Sequence, residues 1–317
     1  YLRYEPVVVS QGRVTMNGLK SIGRVLGSDR TFNVFSFIML TFTLIIVAYP
    51  LYFMVIASVS SPDAIYSGQV WLYPKDVTFE GYERIFADNS ILTGYRNSAI
   101  YTALGTFISV SLILTAGYAL SRKDLVGRNV FMFFFVLTMF FDGGIIPRYL
   151  LVRDLGMFNT VWAMVLPNAV GVWNLIIART FFQITIPDEL REAAFIDGAS
   201  NIQFFLRVVL PLSTPIIAVM VLIHAVGNWN SFFDALIFIT REDMYPLQLV
   251  LRNILTQSDV TANAAMLSGV TSYADQQRVT ELIKYGMIIV ASIPLIILYP
   301  FLQRYFVKGM MIGAIKG

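Results

Sequence analysis

The chain has 317 residues, of which 56% are hydrophobic and only 14% charged, and its mean hydropathy is +0.67. Soluble domains carry about a quarter charged residues, so this composition excludes an ordinary soluble protein and describes one that crosses a membrane several times. A net charge of +3 is too small to point to nucleic acid, the absence of cysteine excludes disulfides and thiolate chemistry, and a lone His224 leaves no histidine metal site or dyad.

Residues 1–31 are polar and carry Arg3, Arg13, Lys20, Arg24 and Arg30, which places this segment in the cytoplasm by the positive-inside rule. Lys20 to Arg30 reads either as a short helix on anionic headgroups or as an unstructured basic tail. The first apolar run, 32–58, is interrupted by Pro50 and is long enough to span; it comes too late for a cleavable signal peptide. Residues 60–96 are polar, and Trp71, Tyr73 and Tyr82 suit the outer interface.

A second span, 97–120, holds Gly105, Ser109, Ser111, Ala116 and Gly117, small residues that let helices approach closely. The basic loop 122–128 returns the chain to the inside. A third span, 130–150, contains Asp142-Gly143-Gly144 and Pro147-Arg148, and a fourth, 161–182, contains Pro167, Asn168, Gly171 and Asn174. The fifth, 212–240, carries Pro215, His224, Asn228, Trp229, Asn230, Phe233 and Asp234. A long outer segment, 241–281, is weakly amphipathic around Leu247 to Leu255, and a sixth span, 282–306, holds Pro294 and Pro300.

The expected fold is therefore all-α: a polytopic membrane domain of six spans over 32–306, with a cytoplasmic basic segment at 1–31 and a cytoplasmic tail at 307–317. Fourteen of the 23 Lys and Arg fall in the segments assigned to the inside, although the outer segments are longer. No inverted repeat of short broken segments stands out, which counts against common secondary-transporter folds.

One inner loop, 187–211, is organised as a docking element. Pro187 suits the first helical position, and Asp188 and Glu189 meet the positive end of the helix dipole. The helix continues through Glu192, Ala193, Ala194, Phe195 and Ile196 to Asp197-Gly198, where glycine can take the left-handed conformation that ends helices. Ser200 with Gln203 reads as a capping box opening a second helix, which stops or kinks near Pro211.

Glu192-Ala193-Ala194, Gly198, Val208, Leu210 and Pro211 match the EAA signature of permease subunits of binding-protein-dependent ABC importers; Val208 stands where that family usually has isoleucine. The stretch 141–149 (F-D-G-G-I-I-P-R-Y), Asn174 to Phe182, the Trp229-Asn230 pair and the closing Gly-Ala-Ile-Lys-Gly resemble the carbohydrate-uptake branch. That branch includes the smaller maltose permease and permeases for oligo- and polysaccharides, an alginate-type cargo among them. The resemblance implies the type I importer fold in a bacterial inner membrane, with 187–211 as the coupling helix region. It also implies a second permease, two ATP-binding cassette subunits that hold ATP and Mg, and an external solute-binding protein. Lys316 and Gly317 would reach the ATPase dimer.

The sequence has no Gly-x-x-x-x-Gly-Lys-Ser/Thr loop, so no ATPase activity or cofactor of its own is expected. Polar groups within spans mark a partner or a wet path. Two clusters qualify: Asp142 with Arg148, and Trp229, Asn230, Phe233 and Asp234, with Asn174 on the fourth span. Aromatic faces and planar amides or carboxylates suit sugars, although each residue also serves as ordinary interhelical glue. Arg148 and Arg153 suit an anionic sugar. The alternative kept open is a proton- or ion-coupled transporter working alone, using Asp142, Asp234 and His224.

Overall fold

The computed structural model describes residues 16–256, 283–300 and 303, and among them every regular element is helical. The chain divides into two units between Ile56 and Ala57. The described part of the first lies on the long helix α1 (Met16–Ser58), which ends two residues past that boundary, is unbroken at Pro50 and has exposed apolar side chains from Phe32 onward. The basic stretch 20–30 is thus neither a separate surface helix nor a tail; it is the start of the spanning helix. From Arg30 to Ser58 the helix measures about 44 Å at 1.5 Å per residue, enough to cross a hydrocarbon core of about 30 Å with tilt.

The second unit is built around α4 (Asn89–Ser121), which follows the short helices α2 (Pro62–Tyr66) and α3 (Glu80–Ala87). It begins at Asn89 rather than near 97, because the Asp88 carboxylate accepts the Ser90 N–H at 2.8 Å and caps it. Its glycines are the points of closest approach. A Cβ on Gly105 would lie 2.8 Å from the Asn228 amide, and one on Gly117 would lie 3.0 Å from the Ala178 methyl. The N-terminal half of α4 holds the chain that follows residue 241. Asn97 Nδ2 donates to the Asp243 and Tyr245 carbonyls at 2.8 and 3.0 Å, and Ser98 accepts the Leu247 N–H at 2.9 Å. The stretch around Leu247 to Leu255 is therefore docked: the helix 247–256 buries Leu247, Leu249, Val250 and Leu251. Trp71 and Tyr73 are exposed as expected of interface residues, whereas Tyr82 packs against the cluster of Ile85, Trp229 and Met287.

The third, fourth and fifth spans are not single helices. The third is α5 (Arg128–Phe140), then a turn, then α6 (Ile145–Asp154) bent away by 116°. Gly144 sits at φ +85 and ψ −177, open only to glycine, and Asp142 Oδ1 accepts its N–H at 3.0 Å. The fourth is α7 (Val161–Val165) and α8 (Val172–Thr185), separated at Leu166–Gly171. The fifth is α12 (Thr214–Trp229), broken at Asn230–Phe232 before α13 (Phe233–Phe238). The intact pieces α5, α8 and α12 are 13, 14 and 16 residues, about 20–24 Å each, too short to cross alone. Among the described residues three helices, α1 from Arg30, α4 and α14 (Ile283–Pro300), are long and apolar enough to cross, and counting the two bent pairs, α5 with α6 and 201–212 with α12, once each gives up to five. The tail 307–317 lies outside the described residues.

Candidate functional site

Between α8 and α12 the chain forms two short arms at a sharp corner. The first arm, α9 (Asp188–Ile196), starts one residue later than Pro187, whose ψ of 146° is extended and makes it the N-cap. It closes at Gly198, φ +80, where the Gly198 N–H donates to the Phe195 carbonyl and the Ala199 N–H to the Ala194 carbonyl. Ser200 and Gln203 form the reciprocal capping box, with both bonds present at 3.3 and 2.9 Å, and open α10 (Asn201–Phe204). A π turn, Phe205–Val209, then leads to α11 (Leu210–Leu212). Pro211 has no N–H to continue the ladder, and the Pro211 carbonyl, which Pro215 cannot serve either, accepts the Thr214 hydroxyl at 2.9 Å. The bend of 81° falls at Ser213, two residues past Pro211, because two prolines spaced by four remove adjacent rungs.

One face of this element is rooted and the other bare. Phe204 and Val209 are fully buried with Ile113, Tyr118, Phe182 and Met220, and Ala194, Val208 and Leu210 pack against that cluster. Phe195 meets Phe204 edge to face at 6.4 Å, bracing one arm on the other. Glu192, Ala193, Asp197, Gly198 and Ser200 are exposed, and so are Ile196 at 86% and Ile202 at 71%. Two large apolar side chains standing free at a corner are a surface made to be covered.

A clamp of charges fixes the corner to the loop 122–128. Asp124 accepts from Arg122 Nε at 2.9 Å and pairs with Arg191 of α9 at 2.9 Å. Arg122 also reaches Asn201 of α10, and Lys123 pairs with Asp188 at 2.8 Å. The Arg122 guanidinium holds the Asp124 carboxyl far below the usual carboxylate range, and the Lys123 ammonium lowers Asp188 in the same direction.

At the other end of the half-helices the three breaks meet in a polar layer. Arg148 on α6 lies 3.7 Å from Asp142 and donates to Asn168 Oδ1 at 3.3 Å. Asn168 Nδ2 donates to Asp234 at 2.8 Å, and Asp234 also accepts from Ser231 at 3.3 Å. This chain of polar side chains ties the three breaks to one another, and at the first of them Asp142 also accepts the Gly144 N–H.

The family described as binding-protein-dependent transport system inner membrane component matches residues 90–312. The chain belongs to this family of permeases. Its relatives in Bacillus subtilis (strain 168) include protein LplC, 37% identical over 92% of this chain and 96% of that one. They also include YtcP, described as a polygalacturonan/rhamnogalacturonan transport system permease, 37% identical over 88% and 96%. Among solved structures, a chain of a bacterial ABC transporter involved in import of the acidic polysaccharide alginate superposes with a TM-score of 0.77. It is 33% identical and covers 88% of this chain and 98% of that one.

As a permease the chain belongs to a family of membrane subunits rather than ATPases, and a stand-alone secondary transporter is not favoured. The residues expected along a substrate path separate into different places. Asp142, Arg148 and Asp234 come together through Asn168, a residue noted on the fourth span but not among the expected path residues; its place after Pro167 and near Gly171 was the available signal. Asn174 instead faces His224 at 3.3 Å, joining α8 to α12. Trp229 does not stand open to a path: it is 5% exposed, donates its Nε1–H to the Ala291 carbonyl at 3.0 Å and packs on Tyr95 at 5.7 Å. Asn230 lines a cavity of ≈ 620 Å³ with Gln248 and Arg252, whose wall includes Ala291, the acceptor of the Trp229 indole, and Phe233 is 48% exposed. The four residues 229, 230, 233 and 234 scatter because the helix breaks between them. Lys316 and Gly317 lie outside the described residues.

Proposed function

We propose that this permease is the membrane subunit of an ATP-driven importer for oligo- or polysaccharide, working by alternating access. Cargo arrives from an external solute-binding protein, a second permease completes the translocation path as a heterodimer, and two separate cassette subunits bind ATP and Mg. The termini and the corner at Gly198 face the cytoplasm. The observation that carries this reading is the corner itself: Ile196, Gly198 and Ile202 stand exposed, while Ala194 and Phe204 beneath them root in the core shared by α4, α8 and α12. A push on the exposed face is delivered to three membrane helices at once. Closure of the cassette dimer would move the corner as a rigid unit and rock α8 and α12 at their breaks.

An acidic cargo fits best. Of the proteins similar to this chain, one is described with the acidic polysaccharide alginate and one with polygalacturonan/rhamnogalacturonan, and Arg148 presents a guanidinium at the layer of breaks, 39% exposed and only weakly paired with Asp142. The test is uptake by right-side-out or reconstituted vesicles carrying the complete complex, with ATP in the lumen and the solute-binding protein outside, comparing a labelled oligouronate with a neutral oligosaccharide of equal length. ATP-dependent accumulation of the oligouronate supports the reading. Uptake that persists without ATP or without the cassette subunits contradicts it.

A further inference from the structure

Beside the corner lies a cleft of ≈ 330 Å³ that the coupling role does not use. It is set where the ends of α4 and α8 meet the start of α9, and its lining includes Tyr118, Arg122, Lys123, Arg128, Gln183 and Arg191. Counting Asp124, which the two arginines share, the cluster holds four cations against three carboxylates, the others being Asp188 and Glu189. Lys123, Arg122 and Arg191 are committed to ion pairs. Arg128 is not: it is half-buried, donates to the Arg122 carbonyl at 3.2 Å and has no carboxylate within 4 Å among the described residues.

Two donors of this cleft are buried without an acceptor. Tyr118 is more than nine-tenths buried and its hydroxyl has no acceptor: the Arg122 guanidinium beside it only donates and cannot take the hydroxyl proton. The Arg191 Nε–H is buried and unpartnered as well, although its Nη1 is engaged by Asp124. Buried donors left unmade cost about 1–3 kcal/mol each, so their presence around one cleft asks for an acceptor-rich occupant. The cleft also has an apolar wall, Phe182, Phe204 and Ile186, and Ile184 beside it is 68% exposed. That combination of cations, orphan donors and apolar wall at the end of two membrane helices is the chemistry of an anionic phospholipid headgroup with its first acyl carbons.

We infer that this cleft binds the phosphodiester of an anionic phospholipid, so that the permease carries a lipid between its membrane helices and its coupling corner. The single excess positive charge matches one phosphodiester, with Arg128, Tyr118 and the Arg191 Nε–H as donors. The inference rests on the corner facing the cytoplasmic leaflet, and its test is independent of transport.

The intact complex is purified in detergent, and its bound phospholipid is quantified by native mass spectrometry after titration with phosphatidylglycerol, phosphatidylcholine or inorganic phosphate. Phosphatidylglycerol is expected to bind selectively; Arg128→Gln is expected to weaken it roughly tenfold or more, and Tyr118→Phe by about two- to tenfold. A competition with wild-type complex keeps the result readable if either variant is poorly folded: excess phosphatidylcholine should fail to displace phosphatidylglycerol. Equal binding of the two lipids, or no retained lipid, overturns the inference. Displacement of the lipid by millimolar inorganic phosphate shows a soluble-phosphate site instead and also overturns it.

Discussion

Substitution of Gly198 separates folding from docking more cleanly than any other change in the chain. At φ +80 an L residue with a Cβ is strained, at a cost of about 1–2 kcal/mol for alanine and less for asparagine or aspartate, which visit the left-handed region more readily. A Cβ built at this position meets no atom within 4 Å, so no steric cost inside the chain adds to the backbone term. Even a charged side chain fits the corner of the isolated permease. Gly198→Asp is therefore expected to reach the membrane at near wild-type abundance and with near wild-type thermal stability, and any larger defect must arise outside this chain. We expect it to lose ATP-coupled uptake, because a carboxylate is placed at the centre of the face that Ile196 and Ile202 present to a partner. Gly198→Asn, with the same shape and no charge, should retain more activity. Uptake and co-purification of the cassette subunits are measured in the same vesicles. Normal coupled uptake by Gly198→Asp, or loss of the Gly198→Asn protein from the membrane, would refute the reasoning.

Trp229→Ala should act on stability rather than on substrate affinity, costing about 3–5 kcal/mol from a lost buried ring; a changed uptake KM with an unchanged unfolding midpoint would contradict its placement. Gly105→Leu should separate α4 from α12 by displacing Asn228 and lower the midpoint sharply, whereas Gly227→Ala, where nothing lies within 4 Å of the added methyl, should leave it nearly unchanged. Asp124 and Asp188 have folded values depressed below the ordinary carboxylate range, so what they contribute is present above about pH 5 and is lost as pH falls from about 4 downward. Wild-type protein should thus lose more of its unfolding midpoint between pH 5 and pH 3 than Asp124→Asn does, and parallel losses would remove the clamp from the account.

The corner was legible because its determinants are local. A proline-acid start, a glycine exit and a Ser-x-x-Gln box each act within four residues, and the structure realises them with Pro187 shifted by one position. The long apolar helices were legible for the same reason, through composition alone. The broken spans were not, because hydropathy averages over a window and cannot register that Gly144, Gly171 and Asn230 interrupt the backbone. Once those breaks exist, residues close in sequence serve different partners: Trp229 bonds Ala291, Asn230 lines the cavity beside it, and Asp234 accepts from Asn168. The Arg122–Asp124–Arg191 clamp joins segments more than sixty residues apart, and a short basic loop gives no sign that one aspartate in it holds two arginines.

The role of the corner is tested most directly by a cysteine at Ile196, which is 86% exposed in a chain that has no cysteine of its own. In membranes containing the whole complex, Ile196→Cys should cross-link to a cassette subunit, with a yield that changes on addition of ATP, and should react with an impermeant maleimide only in inside-out vesicles. Labelling from the opposite face, or an ATP-insensitive residue that cross-links to nothing, would contradict the account.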